Sequence, residues 1–200
     1  MQQQKANPHL LPNGFSYQRR ALSAQKSLDL FYHLQQNLNW QQPNTTVYGR
    51  TGPIPRLQCF ISDNDIEYGY SHSKLVVEPW PTILLAIRKR LENHLQQPFN
   101  SLLVNYYRDG NDTMGWHSDD EIELGFQPTI VCISLGAERV LKFKHKASNK
   151  VTDLLLHSGS CLVMHGDSQR DYQHAIAKQT TLAHPRISLT FRYIKQSEQT

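Results

Sequence analysis

The densest run of metal-competent side chains in this 200-residue sequence is Trp116-His117-Ser118-Asp119-Asp120-Glu121. His117 and Asp119 are two positions apart, so on an extended segment both side chains leave one face. One imidazole and one carboxylate would then converge on a metal. An isolated His-x-Asp usually means only surface polarity, so a third ligand is needed. His174, in Tyr172-Gln173-His174-Ala175, follows 55 residues after Asp119. Two histidines and one carboxylate on a β-scaffold form the facial triad of non-haem Fe(II) chemistry, which leaves three coordination positions open. His165-Gly166-Asp167 is a second His-x-Asp. Its third ligand would be His174 or His184, only 7 or 17 residues beyond Asp167, too few to wind most of a barrel between ligands. His165 reads better as a strand-end histidine beside a turn.

The run Arg186-Ile187-Ser188-Leu189-Thr190-Phe191-Arg192 alternates strictly. Ile187, Leu189 and Phe191 point one way on a strand; Arg186, Ser188, Thr190 and Arg192 point the other. An edge strand with a solvated face would look the same. Two arginines six positions apart lie ~20 Å apart along a strand. With each guanidinium reaching inward, the remaining gap suits a short dicarboxylate such as 2-oxoglutarate, held at both ends by bidentate pairs. Upstream, Asn105 and Tyr107 share a strand face and could bond the same acid.

These groups need a scaffold. The length fits one domain with a sizeable core, and the composition is 38% hydrophobic and 19% charged. No apolar run approaches the ~20 residues of a spanning helix, so no membrane is expected. The N-terminus shows no apolar signal region. Three cysteines, Cys59, Cys132 and Cys161, form no C-x-x-C pair, which points to a reducing, cytoplasmic compartment, or the nucleus in a eukaryote. Cys132 and Cys161 sit in apolar runs, as buried inert thiols do. Net charge is +5 over residues 1–56, −6 over 57–125 and +5 over 126–200. Basic flanks around an acidic centre fit an anionic polymer gripped around a cation site, although ordinary surface charge gives the same counts.

Residues 1–20 are polar and read as a flexible tail. Ser23 caps a helix running to about Leu38, and a second helix opens at Pro81. Residues 41–80 are irregular, broken by Gly and Pro into short β-like pieces, with Tyr48, Arg50, Arg56, Tyr68, Tyr70, His72 and Lys74 interleaved. After Pro98, strands are predicted over 101–107, 129–135, 139–144, 151–157, 160–165 and 186–194. The predicted organisation is helices and a lid over 21–98, then a β-core over 99–196, in one structural unit. The fold class is mainly β with flanking helices, a sandwich or small barrel of jelly-roll type. No coiled-coil or interface signal is present, so a monomer is expected.

Taken together and in order, Asn105-Tyr106-Tyr107-Arg108-Asp109-Gly110, His117-Ser118-Asp119-Asp120-Glu121, His174 and the closing Arg-x-Ser-Leu-Thr-Phe-Arg resemble the AlkB family of Fe(II)/2-oxoglutarate dioxygenases, in its nucleic-acid demethylase branch. The likeness runs from about Pro55 to Ile194. It implies a double-stranded β-helix core, iron on His117, Asp119 and His174, and 2-oxoglutarate on Asn105, Tyr107, Arg186, Ser188 and Arg192. The family usually carries Asn where this chain has Ser188.

The resemblance further implies oxidative demethylation of N-alkylated bases of the 1-methyladenine and 3-methylcytosine type, with O2 consumed and succinate, CO2 and formaldehyde released. That is direct reversal of alkylation damage in DNA, with the choice between DNA and RNA left open by the sequence. A base inside a duplex cannot reach such a centre, so the nucleotide must be flipped or single-stranded. Family position makes Tyr70 the stacking aromatic, with Tyr68 as the alternative, and Glu121 a reader of the exocyclic amine. Arg56, then Arg50, Lys74 and Arg170, are candidate phosphate contacts. The rivals are a 2-oxoglutarate hydroxylase of protein or lipid, an iron-free nucleic-acid-binding module, and a cupin-type small-molecule binder.

Overall fold

The computed structural model describes residues 11–47, 49–63, 66, 69–70, 73–74 and 76–195, with backbone alone at 47, 69, 70, 73 and 74. In chain order the elements are β1 (Phe15–Gln18), α1 (Ala24–Asn37), β2 (Asn44–Val47), β3 (Arg50–Pro53), β4 (Leu57–Ser62), β5 (Gly69–Tyr70), β6 (Ser73–Lys74), β7 (Val77–Glu78) and α2 (Thr82–Leu95). They continue with β8 (Ser101–Tyr107), β9 (Met114–His117), β10 (Ile130–Gly136), β11 (Arg139–His145), β12 (Val151–Leu156), β13 (Ser160–Met164), α3 (Ser168–Asp171), β14 (Tyr172–Ile176) and β15 (Arg186–Arg192).

A seven-stranded sheet, ordered β1-β13-β10-β15-β8-β4-β7, faces a four-stranded sheet, ordered β12-β11-β14-β9. Between them lies one apolar cluster that includes Phe15, Leu141, Phe143, Leu162 and Met164. A second cluster joins the outer face of the large sheet to α1 and α2 through Leu30, Phe31, Leu34 and Leu84. Ser23 caps α1 as expected, its hydroxyl accepting from the Lys26 N–H at 3.3 Å. This is the mainly-β, helix-braced jelly-roll core that the sequence predicts.

Several strands differ from the expectation. Residues 15–18, assigned to a flexible tail, form β1 and pair with β13. Phe15 explains why: its ring sits 4.5 Å from that of Phe143 and is buried. Leu57–Ser62 is a regular strand of the large sheet, buried from Gln58 to Ser62, rather than an irregular piece. The strands β9 and β14, absent from the predicted set, run side by side in the small sheet. β15 is no edge strand. It lies between β10 and β8, and all seven of its residues are buried.

Loop packing also shapes the region. Gly110 stacks its backbone on the loop after β14, with Gly110 N–H bonded to Leu182 O at 2.8 Å and Gln179 N–H bonded to Gly110 O at 2.7 Å. A Cβ there would collide with the Gln179 carbonyl, so only glycine permits this approach. Arg139, fully buried, donates to the carbonyls of Asp109, Asp112 and Ala177 and locks the same loops.

Candidate active site

His117 ends β9, Asp119 lies just beyond it, and His174 sits mid-β14 opposite His117 in the register. Their ligand atoms all lie within 4.8 Å of one another. The His117 Nδ1 is 2.9 Å from the Gly115 carbonyl, so Nδ1 carries the proton and Nε2 presents its lone pair to the site. Asp119 is buried, and its Oδ1 accepts from Arg192 Nη2 at 2.7 Å. Its Oδ2 is buried with no hydrogen-bond partner among the described residues. A buried, unpaired carboxylate oxygen is costly unless something else satisfies it.

Burial, and then the neighbouring His117, push the His174 pKa down to about 3, against the pull of Asp119. For Asp119, burial works to raise the pKa, but Arg192, His174 and His117 together hold it below the ordinary carboxylate range. The site therefore holds a neutral imidazole and an ionised carboxylate, the protonation states that bind metal. These donors fit a ferrous ion: two histidines and one carboxylate, with His117 Nε2 4.0 Å from Asp119 Oδ1 and the second carboxylate oxygen lacking a partner among the described residues.

Next to the triad a pocket is lined by Asn105, Tyr107, Arg186, Ser188 and Arg192. All five come from adjacent strands, because β15 pairs with β8 in a register that sets Arg186 opposite Tyr107 and Ser188 opposite Asn105. The alternation of β15 holds: Ile187, Leu189 and Phe191 join the helix-side cluster, while its polar residues line the pocket. Arg186 donates to Ser134 Oγ at 2.9 Å and lies over the Tyr107 ring at 5.2 Å. Its Nε and Nη1 have no hydrogen-bond partner among the described residues, although the side chain is 1% exposed. Arg192 lines the same pocket and also donates through Nη2 to the metal-side carboxylate of Asp119. Ser188 Oγ is 3.2 Å from Cys132 Sγ, and Cys132 is half-buried at the pocket wall rather than sealed in the core. Cys59 and Cys161 are buried, and burial is the main cause of thiol pKa values pushed up to about 12.

The other expected residues are placed differently from one another. Glu121 precedes the short 3-10 turn Ile122–Leu124 without a side-chain capping bond, and its Oε2 is buried without a hydrogen-bond partner among the described residues. Arg50 is exposed at the start of β3, and Arg170 is exposed but ion-paired to Asp167 at 2.8 Å and Asp171 at 2.7 Å. Arg56, named first among the phosphate contacts, turns inward: its Nε donates to Asn105 Oδ1 at 2.8 Å. Tyr48, Tyr68 and His72 lie outside the described residues, as do the side chains of Tyr70 and Lys74. The second His-x-Asp is a turn after β13, where His165 N–H bonds Gly14 O and Asp167 accepts from Gln127 and Arg170. One positioning residue escaped the sequence reading. The Gln169 side chain accepts from the Asp119 N–H at 2.9 Å and holds the ligand loop. A lone Gln in a polar run carries no signal.

A jelly-roll with a His-Asp-His cluster beside a buried arginine defines a class, and sequence comparison agrees. The family described as the 2OG-Fe(II) oxygenase superfamily matches residues 14–192. The chain belongs to that superfamily, among its AlkB-like members. It is 34% identical over 167 residues to "Alpha-ketoglutarate-dependent dioxygenase alkB homolog 3" of Mus musculus, covering 78% of this chain and 57% of the relative. It is 32% identical over 198 residues to "DNA oxidative demethylase ALKBH2" of the same species, covering 93% and 83%. Against several of these relatives the chain spans little more than half their length. Among solved structures, "The structure of OsALKBH1" superposes with a TM-score of 0.66 at 19% identity, covering 91% of this chain and 99% of that one. A 2OG-Fe(II) oxygenase family oxidoreductase from Burkholderia pseudomallei gives 0.62 at 16%, covering 92% and 86%. These two likenesses concern the fold. Among the described residues, no helix is long and apolar enough to cross a membrane.

Proposed function

We propose that this protein oxidatively demethylates N-alkylated bases of the 1-methyladenine and 3-methylcytosine type in DNA, with RNA as a second substrate. It would consume O2 and 2-oxoglutarate and release succinate, CO2 and formaldehyde. The observation that carries this reading is the coincidence of orphaned atoms. Asp119, with one oxygen lacking a partner among the described residues, clusters with a neutral His174, and two nitrogens of buried Arg186 that likewise lack partners there share the same pocket. The first wants a cation and the second an anion, which is what Fe(II) and a dicarboxylate supply.

His117, Asp119 and His174 would hold the iron, which when bound supplies oxidation of a base N-methyl C–H. Arg186 and Tyr107 would take one carboxylate of 2-oxoglutarate, with Asn105 and Ser188 beside it. Arg192 would keep Asp119 ionised through its Nη2 bond to Oδ1, and it lines the same pocket as Arg186. Gln169 holds the backbone of the same loop. Glu121, whose Oε2 lacks a partner among the described residues, would accept from the exocyclic amine of a flipped base, against which Tyr70 or Tyr68 would stack. Arg50, Lys74 and Arg170 would meet phosphates, and binding should then weaken with salt. The enzyme would act as a cytoplasmic monomer, or in the nucleus of a eukaryote. The names of the relatives and the basic flanks of the chain favour nucleic acid over a protein or lipid substrate.

The test is a panel of methylated DNA and RNA oligonucleotides incubated with Fe(II), 2-oxoglutarate and O2, with products analysed by mass. Loss of one methyl mass with matching formaldehyde is expected. Succinate formation with every oligonucleotide unchanged would overturn the substrate assignment.

A further inference from the structure

Arg56 lies just before β4, where three parts of the molecule meet. Ile54, two residues earlier, bonds through its N–H to Pro43 O at 3.0 Å and through its carbonyl to Gln42 Nε2 at 2.8 Å, which ties this segment to the run entering the β2–β3 hairpin. The carbonyl of Pro55 accepts from Thr113 N–H at 2.9 Å, immediately before the strand that ends in His117. The Arg56 guanidinium itself is half-buried, with Nη1 3.5 Å from Thr113 O and Nε 2.8 Å from Asn105 Oδ1.

That last bond has a chemical consequence. A guanidinium has donors and no acceptor, so the atom of Asn105 it meets must be the carbonyl oxygen. The Asn105 carboxamide is thereby fixed in one of its two flip states, with its NH2 left for the pocket that Asn105 lines. In the opposite state an acceptor would face an anionic ligand and two donors would face each other. Asn105 is 4% exposed, so water offers little help in correcting the wrong state.

We infer that Arg56 is a positioning residue for the cosubstrate. It orients the Asn105 carboxamide so that the nitrogen, not the oxygen, meets a carboxylate or keto oxygen of 2-oxoglutarate. This rests on the dioxygenase reading above. It differs from a phosphate-contact role for Arg56, because it acts with no nucleic acid present.

The experiment is calorimetric binding of 2-oxoglutarate to the Mn(II)-loaded full chain without nucleic acid. Arg56→Met should weaken binding about 10- to 100-fold, the usual cost of losing an outer-shell partner. Arg56→Lys, which restores a donor, should recover part of it. In an Asn105→Ala background, Arg56→Met should add almost nothing, because the two residues act as a unit. Thermal melting checks that each variant is folded. Equal affinity in folded Arg56→Met, or a full-sized loss persisting in the Asn105→Ala background, would overturn the inference and leave the dioxygenase reading standing. Absence of 2-oxoglutarate binding by the wild-type protein would overturn both.

Discussion

The two faces of the large sheet are built from the same strands and obey different rules. On the helix side, Ile187, Leu189 and Phe191 of β15 meet Leu34 and Leu84 in a close-packed apolar layer. On the inner side, Arg186, Ser188, Thr190 and Arg192 of the same strand are equally buried, yet polar. The apolar face is filled by hydrophobic side chains, with Trp80 Nε1 beside Phe191 a buried donor that lacks a partner among the described residues. The polar face carries Arg186 nitrogens and an Asp119 oxygen that lack hydrogen-bond partners among the described residues. One face is therefore spent on stability and the other on holding groups in wait for ligands, which lowers stability until they arrive.

This contrast can be broken by mutation. The largest effect on chemistry is expected from His174→Ala or His117→Ala. Turnover should fall by more than about 100-fold, since loss of a ligand exceeds the cost of an outer-shell change, while the melting temperature barely moves. Wild-type rates of 2-oxoglutarate consumption by either variant would refute the iron assignment. On the opposite face, Phe191→Ala should cost about 3–5 kcal/mol in denaturant unfolding, with turnover per folded molecule nearly kept. A selective loss of turnover would erase the distinction between the faces.

Arg186→Met sharpens the comparison further. It should abolish tight 2-oxoglutarate binding, yet leave the ligand-free protein as stable as wild type or up to about 1–4 kcal/mol more stable, because an under-satisfied buried cation is removed. Marked destabilisation would mean that Arg186 is structural. The smallest effect concerns acid. Burial works against ionised Asp112, but its hydrogen bonds from Arg108 win and hold its pKa below the ordinary range. A depressed carboxylate adds stability above its unfolded pKa and loses it as pH falls through the folded one. Asp112→Asn should flatten the unfolding profile below about pH 4; an unchanged acid limb would show that the pair contributes nothing.

How much of this was legible depended on whether the signal was local. The alternation of β15 is written in seven residues, and its pocket face followed from period two alone. The His-Asp-His cluster was legible less from composition, since His-x-Asp occurs twice among ten histidines, than from the ordered set of motifs that carries the AlkB likeness. β1 was not, since Phe15 is one aromatic in a polar stretch and its strand exists only because β13 offers an edge. β4 hid for a different reason: its apolar run Leu57–Ser62 is preceded by Gly49, Gly52, Pro53 and Pro55, which read as a break. The partner of Arg56 could not be read either. A lone Arg after a Pro looks like a surface cation, and only the pairing of β4 with β8 brings it to Asn105.

The central claim is that three side chains meet on one ferrous ion beside a site for 2-oxoglutarate. Anaerobic titration calorimetry tests it directly. The account predicts one Fe(II) per chain, then one 2-oxoglutarate that binds tightly only once the metal is present, with both events lost in His174→Ala. Binding of 2-oxoglutarate that ignores the metal, or metal binding that survives His174→Ala unchanged, would contradict it.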